Sequence, residues 1–247
     1  MRIKFNNVNY SYPSIGTSKS ALINVNLNIE AENEFVAVVG HTGSGKSTMI
    51  QHMNALLKPS SGDIDVFGTN LRTAEKLRPI RKKVGMVFQF PEYQLFEETV
   101  ERDIMFGPTN FGMSQEDAKA KAKEVMELVG LEEELLEKSP FNLSGGQMRR
   151  VAIAGILSMD PDILILDEPT VGLDPQGQKE MMDLFTSIHE KKNQTIILVT
   201  HDMNVVSEYC NRVIVMKKGE KVFDGSPREL FSQSQLLHDF DLDAPQY

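Results

Sequence analysis

The 247-residue sequence predicts an α/β protein built on a largely parallel sheet. Two observations support this prediction: the apolar runs are short and rich in β-branched residues, and helical segments separate them. Apolar runs without alternation are typical of strands buried on both faces, which is the setting of parallel strands. The runs are residues 35–39, 163–166, 196–199 and 213–216. Their alternation with helical segments predicts βαβ units.

Composition narrows the class of protein. Hydrophobic residues make up 40% of the chain and charged residues 25%, which is typical of globular domains. The 26 basic and 35 acidic residues give a net charge of −9, which argues against non-specific binding to nucleic acid. A single cysteine excludes an intrachain disulfide framework. The sequence has no run of about 20 apolar residues that could span a membrane and no apolar signal-peptide core at its start. We therefore expect a globular protein from a reducing compartment.

Two additions to the α/β core are predicted. Near the N-terminus, Phe5, Val8, Tyr10 and Tyr12 follow an alternating pattern, which predicts a separate antiparallel strand. Residues 97–159 instead have helical apolar spacing, so we expect a helical lobe inserted into the core. The apolar positions of its clearest helix are Ala118, Ala122, Val125, Met126 and Val129.

Several helix boundaries are marked by capping residues. Ser114 and Asp117 predict a capping box, and Gly130 predicts the end of the same helix. Asp174, followed by a proline, predicts another helix start, and so does Ser226. We expect one domain over residues 1–225, followed by a short C-terminal helix and tail over residues 226–247.

A glycine-rich loop follows the first buried strand and precedes a helical run at residues 48–57. It fits the pattern G-x-x-x-x-G-K-S and consists of Gly40, His41, Thr42, Gly43, Ser44, Gly45, Lys46 and Ser47. Backbone N–H groups in such a loop cradle phosphates, the lysine reaches the β- and γ-phosphates, and the final hydroxyl binds Mg²⁺. The alternative is an ordinary glycine-rich turn, which the strand-loop-helix context disfavours.

A pair of carboxylates, Asp167 and Glu168, ends the strand at residues 163–166. Two acids at the end of an apolar strand are costly unless a cation or substrate uses them. Beside a phosphate loop, this pattern predicts that Asp167 belongs to the Mg²⁺ shell and that Glu168 polarises the attacking water. The alternative is that both side chains simply reach solvent.

A second loop of small residues opens a helical run at residues 148–159. It consists of Leu143, Ser144, Gly145, Gly146 and Gln147. A helix N-terminus of this kind can bind an anion, although a Ser-Gly-Gly run is most often a turn. One ATP needs only one phosphate loop, so the residues alone leave the role of this second loop open.

These motifs together resemble the nucleotide-binding subunit of an ATP-binding cassette (ABC) transporter, in matching order along nearly the full chain. The matching elements are Tyr12, Gly40–Ser47, Gln89, Leu143–Gln147, Asp167-Glu168, Asp174 and His201. The resemblance implies a P-loop ATPase with a RecA-like core, an N-terminal antiparallel β subdomain and an inserted helical lobe. It also implies that subunits pair head to tail, so that the loop at Ser144, Gly145 and Gly146 holds the γ-phosphate of the partner's ATP.

Further roles are implied by the same resemblance. Tyr12 is similar to the aromatic residue that stacks on adenine, although the neighbouring Tyr10 is an alternative. Gln89 is similar to the glutamine that contacts Mg²⁺ and the attacking water, and His201 to the histidine that contacts the γ-phosphate. Asp174 is similar to the residue that crosses the dimer seam.

The nucleotide-binding set implied by the resemblance also includes Gln147 and, beside the phosphate loop, Thr48. His41 occupies a variable position of that loop, so we expect no catalytic role for its side chain. The expected metal ligands are Ser47, Gln89 and Asp167. The expected catalytic residues are Glu168, His201, Gln89 and Lys46.

A narrower resemblance follows Gln89. The segment that carries it begins Phe90-Pro91-Glu92-Tyr93-Gln94-Leu95-Phe96. It is similar to the ATPases of energy-coupling factor (ECF) transporters, which import vitamins and transition-metal ions, and most similar to the second of their two paralogous ATPases. The resemblance implies a paralogous or identical ATPase partner, a transmembrane coupling subunit and a substrate-binding membrane protein, with this chain peripheral on the cytoplasmic face of the cell membrane.

Two points of that resemblance stay open. Tyr93, Leu95 and Phe96 either line a groove for coupling helices or pack in the helical lobe. ECF ATPases commonly carry a C-terminal segment longer than residues 226–247, so the resemblance does not extend to dimerisation through such a tail.

Two other functions are less consistent with the sequence. A soluble ABC ATPase of DNA repair or translation typically has tandem cassettes, long insertions or a basic surface. Here the basic residues concentrate only at Arg78, Arg81, Lys82 and Lys83. A regulatory module without hydrolysis is disfavoured by the intact Lys46, Asp167, Glu168 and His201. We expect an ATP hydrolase that uses ATP and Mg²⁺.

Overall fold

A six-stranded sheet lies at the centre of the computed structural model, which describes residues 2–13, 19–30, 32–240 and 242–245. Its strand order is β10-β9-β3-β8-β7-β6. The strands are β3 (Phe35–Val39), β6 (Val84–Val87), β7 (Ile163–Asp167), β8 (Thr195–Val199), β9 (Arg212–Lys217) and β10 (Glu220–Gly225). All neighbours pair in parallel except β10, which is antiparallel to β9. The predicted α/β class is confirmed, and each predicted strand lies within one residue of its predicted bounds.

The helices of the described residues connect these strands or follow them. They are α1 (Lys46–Met53), α2 (Arg78–Lys83), α3 (Val100–Asn110), α4 (Gln115–Leu128), α5 (Gly145–Leu157), α6 (Pro175–Lys192), α7 (Met203–Tyr209), α8 (Pro227–Phe231) and α9 (Ser234–Asp239). Short 3-10 turns occur at Pro91–Gln94, Glu133–Glu137 and Pro140–Asn142.

Both faces of the central sheet are buried, as the unbroken apolar runs predict. On β3, Val36 and Val38 join a core cluster that includes residues of α1. Ala37 and Val39 lie in a different cluster, which includes residues of α7 and α8. Because successive side chains of a strand point to opposite faces, a strand between two cores has no polar position.

A smaller antiparallel sheet has the order β2-β1-β4-β5. Its strands are β1 (Ile3–Ser11), β2 (Ser20–Ile29), β4 (Ser61–Val66) and β5 (Thr69–Asn70). Phe5 and Val8 are both buried although they are three positions apart, an odd spacing that would place them on opposite faces of a regular strand. Asn7 has a φ of +47°, and the register shifts between Phe5 and Val8, so a bulge restores the inward face. The predicted strand is confirmed, but it ends before Tyr12.

Residues 100–157 are mainly helical and lie between β6 and β7. The predicted apolar positions of α4 are buried, and they share a core cluster with α3, α5 and one face of the central sheet. Gly130 has a φ of +71° and ends α4 as predicted. At the other end, Ser114 Oγ accepts a hydrogen bond from the Asp117 N–H and donates one to the Asp117 carboxylate. The shorter Asp side chain thus bonds the hydroxyl, where a capping box would bond the Ser114 N–H.

The C-terminal residues contain two helices where the sequence predicted one. Ser226 and Glu229 form a reciprocal capping box at the start of α8. Leu230 of α8 and Leu237 of α9 are buried in the cluster beside β9. The predicted tail includes residues 241, 246 and 247, which lie outside the described residues. Among the helices described, none is long and apolar enough to cross a membrane.

Candidate active site

The glycine-rich loop joins β3 to α1 at the carboxyl edge of the parallel strands. Ligands of open α/β sheets bind at this edge. Gly45 precedes α1 with a φ of +104°, and a Cβ atom there would lie 2.6 Å from the Ala21 carbonyl oxygen. This position therefore requires glycine. Lys46 Nζ donates hydrogen bonds to the carbonyls of Gly40 and His41, the second at 2.9 Å.

A cavity of about 440 Å³ opens beside this loop. Its lining residues are Tyr12, Lys19, Ser20, Ala21, Thr42, Gly43, Gly45, Lys46, Ser47, Thr48 and Glu168. The backbone of the loop and the start of α1 form one wall. Tyr12 and the beginning of β2 also line the cavity. The cavity therefore brings the glycine-rich loop, an aromatic ring and a carboxylate together.

Tyr12 is 44% exposed, and its hydroxyl is 3.0 Å from Thr48 Oγ1. Tyr10 packs edge-on against both Tyr12 and His52, at ring-centroid distances of 5.0 and 4.7 Å. Of these two tyrosines, only Tyr12 is among the described residues that line the cavity. Tyr10 serves packing between β1 and α1.

The remaining side chains of the loop differ in burial. His41, Thr42 and Ser47 are exposed, whereas Ser44 is buried. Ser44 Oγ lies under the loop without a hydrogen-bond partner among the described residues. A Cβ atom at Gly40 would lie 2.8 Å from this hydroxyl oxygen. The loop is therefore tightly closed on its inner side and open on the side of Ser47.

Asp167 and Glu168 lie where β7 ends. Burial first, and the charge of Glu168 second, raise the pKa of Asp167, whereas the positive charge of Lys46 acts to lower it. Burial lowers the pKa of Lys46, although Glu168 and Asp167 counteract this. Glu168 has a φ of +47°, a conformation that is rare outside glycine. The N–H of Glu168 donates to the Val199 carbonyl at 3.0 Å, which joins the ends of β7 and β8.

His201 is the second residue after β8. Its Nδ1 atom lies 3.7 Å from Glu168 Oε1, and its side chain is 74% exposed. Asp202 caps α7 by accepting hydrogen bonds from the N–H groups of Asn204 and Val205, which anchors the chain beside the histidine. The structure therefore brings together the predicted His201 and Glu168 and leaves the imidazole open to solvent.

Gln89 is exposed and is the second residue after β6. β6 and β7 pair in parallel with Val87 opposite Leu166, so Gln89 lies at the same sheet edge as Asp167. Gln89 does not line the cavity within the described residues.

The second small-residue loop begins α5. Ser144 caps this helix, and Gln147 completes a capping box through its side-chain oxygen, which accepts from the Ser144 N–H at 3.1 Å. Ser144, Gly145 and Gly146 are exposed, and a Cβ atom at either glycine would meet no heavy atom within 4 Å. In the part of the chain that is described, this loop does not line the cavity at the glycine-rich loop.

Asp174 is exposed, and its Oδ1 atom accepts a hydrogen bond from the Gly177 N–H at 2.8 Å. It thereby caps α6, as its sequence context predicts. Two residues of the basic cluster predicted from the sequence pack on aromatic rings within the chain. Arg78 lies over the ring of Phe111, and Lys83 lies over the ring of Phe67.

The residues at this edge suit a magnesium ion. Ser47 presents an exposed hydroxyl at the cavity, and Asp167 presents a carboxylate whose charged form the surroundings disfavour. Hard oxygen donors are the ligands that Mg²⁺ prefers, commonly with oxygens of the substrate phosphates. No group of three or more His, Cys, Asp or Glu side chains among the described residues forms a protein-only metal site.

Sequence reasoning missed two features of the site. Lys19, Ser20 and Ala21 line the cavity because of where β2 pairs, and no local motif marks them. The second feature is a buried ion pair between Arg149 and Glu92. Its only sequence signal is Arg149 itself, which stands beside a second arginine, Arg150, just before the apolar run of α5.

Comparisons with known proteins agree with this geometry. The sequence profile of the ABC transporter family matches residues 22–171. The energy-coupling factor transporter ATP-binding protein EcfA2 of Enterococcus faecalis is 54% identical over 250 residues, which cover 99% of this chain and 86% of that protein.

Two solved structures have the same fold. One is cbiO1 from Clostridium perfringens, which is part of the ABC transporter complex cbiONQ. It matches with a TM-score of 0.83 and 38% sequence identity, and the match covers 96% of this chain and 93% of that chain. The other is the ATP-binding cassette MJ0796, a dimer in a post-hydrolysis state bound to ADP and Pi. It matches with a TM-score of 0.79 and 35% sequence identity, and the match covers 92% of this chain and 99% of that chain.

Proposed function

The chain belongs to the ABC transporter family, and from this premise we propose that it is the ATP-binding and ATP-hydrolysing subunit of an ECF-type importer. The observation that carries the proposal is the cavity in which the glycine-rich loop, Tyr12 and Glu168 meet. Identity of 54% to EcfA2 over nearly the whole chain supports the ECF type. The proposed ATPase domain spans residues 1–225, with the helical lobe at 97–159 inserted in it.

ATP binding is assigned to the walls of the cavity. The backbone N–H groups of the glycine-rich loop and the N-terminus of α1 would hold the phosphates. Lys46 would exchange its hydrogen bonds with the Gly40 and His41 carbonyls for bonds to phosphate oxygens. Tyr12 would stack on adenine, because its ring lines the same cavity as the phosphate loop and its hydroxyl is held by Thr48.

Ser47, Gln89 and Asp167 are the proposed ligands of Mg²⁺. The ion would neutralise charge on the β- and γ-phosphates when it is bound. The raised pKa of Asp167, caused by burial and then by Glu168, fits a carboxylate that awaits a cation. Ser47 is exposed at the cavity and can turn its hydroxyl toward the same point.

Hydrolysis is assigned to Glu168 and His201. Glu168 lines the cavity and is 3.7 Å from His201, so both can reach a water that attacks the γ-phosphate. The carboxylate polarises this water, and Lys46 offsets the charge that develops on the phosphate. A preorganised set of charges of this kind supplies most of the catalysis in phosphoryl transfer.

The loop at Ser144, Gly145 and Gly146 supports a dimeric arrangement. These residues are exposed and lie outside the chain's own cavity, yet they form an anion-binding helix start. We assign them, with Asp174, to the ATP held by a second ATPase subunit, either a copy or a paralogue. The cassette MJ0796 was solved as a dimer. Two ATP molecules would then lie at the seam.

Membrane partners complete the proposal. Tyr93 is 82% exposed and Phe96 is 58% exposed, which favours a docking role over packing in the lobe. They would receive a transmembrane coupling subunit, and a separate membrane protein would bind the vitamin or metal-ion cargo. The chain would then be peripheral on the cytoplasmic face of the membrane.

The substitution Glu168→Gln tests the hydrolytic assignment. We expect the variant to bind ATP as wild type does, because the amide has the same shape, and to lose Mg²⁺-dependent turnover. Turnover is measured as phosphate release by the full chain with its co-purifying partners. Lys46→Ala is the control that loses binding. Wild-type turnover in Glu168→Gln would refute the assignment.

A further inference from the structure

Arg149 lies in the second turn of α5, and its side chain is only 5% exposed. A charge this buried must be paired and hydrogen-bonded. Its Nε atom donates to Glu92 Oε2 at 3.0 Å, and Nη2 donates to Glu92 Oε1 at 2.8 Å. Nη1 donates to the carbonyls of Pro169 and Val171, at 3.3 and 3.2 Å. The guanidinium therefore binds two other segments of the chain at once.

The three segments joined in this way are the ones that carry the proposed catalytic loops. Glu92 follows Gln89 in the turn Pro91–Gln94. Pro169 follows Glu168 directly, and Val171 comes three residues before Asp174. Arg149 itself is two residues beyond Gln147. We call these four residues, Arg149, Glu92, Pro169 and Val171, the arginine hub.

Phe90 packs against the same hub. It has a φ of +53°, and its ring centroid is 5.8 Å from the Arg149 guanidinium carbon. A Cβ atom at Gly172 would come within 3.2 Å of this ring. The ring therefore lies directly against the loop that follows Glu168. The turn after Gln89 and the loop after Glu168 thus touch each other as well as the guanidinium.

We propose that Arg149 is a positioning residue that sets the loop of Gln89, the loop of Glu168 and the start of α5 in one fixed arrangement. The inference rests on the proposed function and deepens it. Two of these loops serve the chain's own ATP, and the start of α5 serves the partner's ATP. A buried ion pair adds little net stability. We therefore assign the role of Arg149 to the planar geometry of its guanidinium, which fixes the segments that it binds.

The test uses the full chain assembled with its co-purifying partners and compares Arg149→Lys with Arg212→Lys. Arg212 is a matched control, because its guanidinium also grips a carboxylate, Asp224, at 2.8 and 3.0 Å. Arg212 is at the start of β9, however, at the opposite end of the parallel strands from the ATP site. Both changes keep the charge and remove the two-pronged contact.

We expect Arg149→Lys to lower kcat by about 10- to 100-fold, the cost of misplacing catalytic groups by about 1 Å. ATP affinity should stay within about twofold, because the hub does not touch the cavity wall formed by the glycine-rich loop. Arg212→Lys should leave both quantities near wild type, whatever its effect on the melting temperature. Equal effects of the two lysine variants on kcat would overturn the proposal.

Glu92→Gln keeps the test decisive where Arg149→Lys does not fold, since it spares the bonds to Pro169 and Val171. A fall in kcat without a change in ATP affinity is again expected, and wild-type kcat in a folded Glu92→Gln protein would overturn the proposal. Failure of the proposed function gives a different result, because Glu168→Gln would then still turn over ATP. The hub variants are judged by a separate quantity, the change in kcat relative to the change in ATP affinity.

Discussion

Asp167 must carry a negative charge to bind a cation, yet its surroundings disfavour that charge. It lies at the end of a buried strand, next to a second carboxylate, and the positive charge of Lys46 partly offsets its own charge. Burial first, and Glu168 second, raise the pKa of Asp167. A carboxylate whose charged form is destabilised in the absence of a ligand is expected where a cation must bind favourably. The residue therefore lowers the stability of the nucleotide-free chain.

We predict that Asp167→Asn stabilises the nucleotide-free chain at pH 8. Because the folded pKa is raised, the folded wild type binds a proton more readily than the unfolded chain, so its free energy of unfolding falls as pH rises through the folded pKa. The gain from the substitution should be full above that pKa and should vanish as pH falls to the ordinary range of an aspartate. Urea unfolding of both proteins between pH 8 and pH 4 measures this.

Glu75→Gln is the control for loss of one negative charge, since Glu75 is exposed. It should not change stability over the same pH range. A destabilising effect of Asp167→Asn at pH 8 would contradict the prediction. The same variant should lose Mg²⁺-dependent turnover, which separates stability from function at a single residue.

At the scale of single elements, local signals predict boundaries well and packing poorly. The caps at Asp174 and Ser226 are formed as the sequence indicates, because they depend only on residues three positions away. The bulge at Asn7 depends on the pairing of β1 with β2 and β4, so the alternating pattern alone could not reveal it. The second C-terminal helix was missed for a similar reason, since Leu237 is ordered by a core cluster that includes residues of β9.

The contact between β6 and α5 offers a test of element packing. A Cβ atom at Gly85 of β6 would lie 2.8 Å from Ile156 Cγ2 and 3.2 Å from Pro161 Cγ. We predict that Gly85→Ala lowers the free energy of unfolding by about 1–3 kcal/mol through overpacking. Gly155→Ala is the matched control on the facing helix, where the nearest atoms are 3.8 and 4.0 Å away. It should raise the free energy of unfolding by up to about 1 kcal/mol through helix propensity.

Chemical denaturation of the two alanine variants measures these effects. Equal stability of Gly85→Ala and wild type would show that Ile156 moves aside without cost. A loss in Gly155→Ala comparable to that in Gly85→Ala would show that the helix, and not its contact with the strand, sets the stability of this region.

At the scale of the whole molecule, the sequence predicted which loops meet at one edge of the sheet but not how they are joined. The glycine-rich loop, the acid pair and His201 each follow a buried strand, so strand order brings them to one edge. The wall formed by Lys19, Ser20 and Ala21, and the hub at Arg149, depend on contacts between distant segments. Such contacts have no short motif, and only the folded chain reveals them.

The exposed start of α5 gives a prediction about the assembly as a whole. Gly146 is exposed, and a Cβ atom there would meet no heavy atom within 4 Å, so Gly146→Asp should fold normally. An acid in the first turn of a helix is itself favourable. Facing a partner's γ-phosphate, however, the new carboxylate would repel it. We therefore predict that Gly146→Asp binds ATP through its own glycine-rich loop and yet supports no turnover.

Equilibrium binding of ATP and phosphate release measure the two halves of this prediction. Lys46→Ala, the contrasting variant, should fail at binding. In a dimer of two copies, mixing the two inactive variants creates one seam site with an intact glycine-rich loop and an intact α5 start, and some turnover should return. With a paralogous partner, mixing should restore none. Weak ATP binding by Gly146→Asp alone would instead place the start of α5 in the chain's own site, which would refute the head-to-tail arrangement.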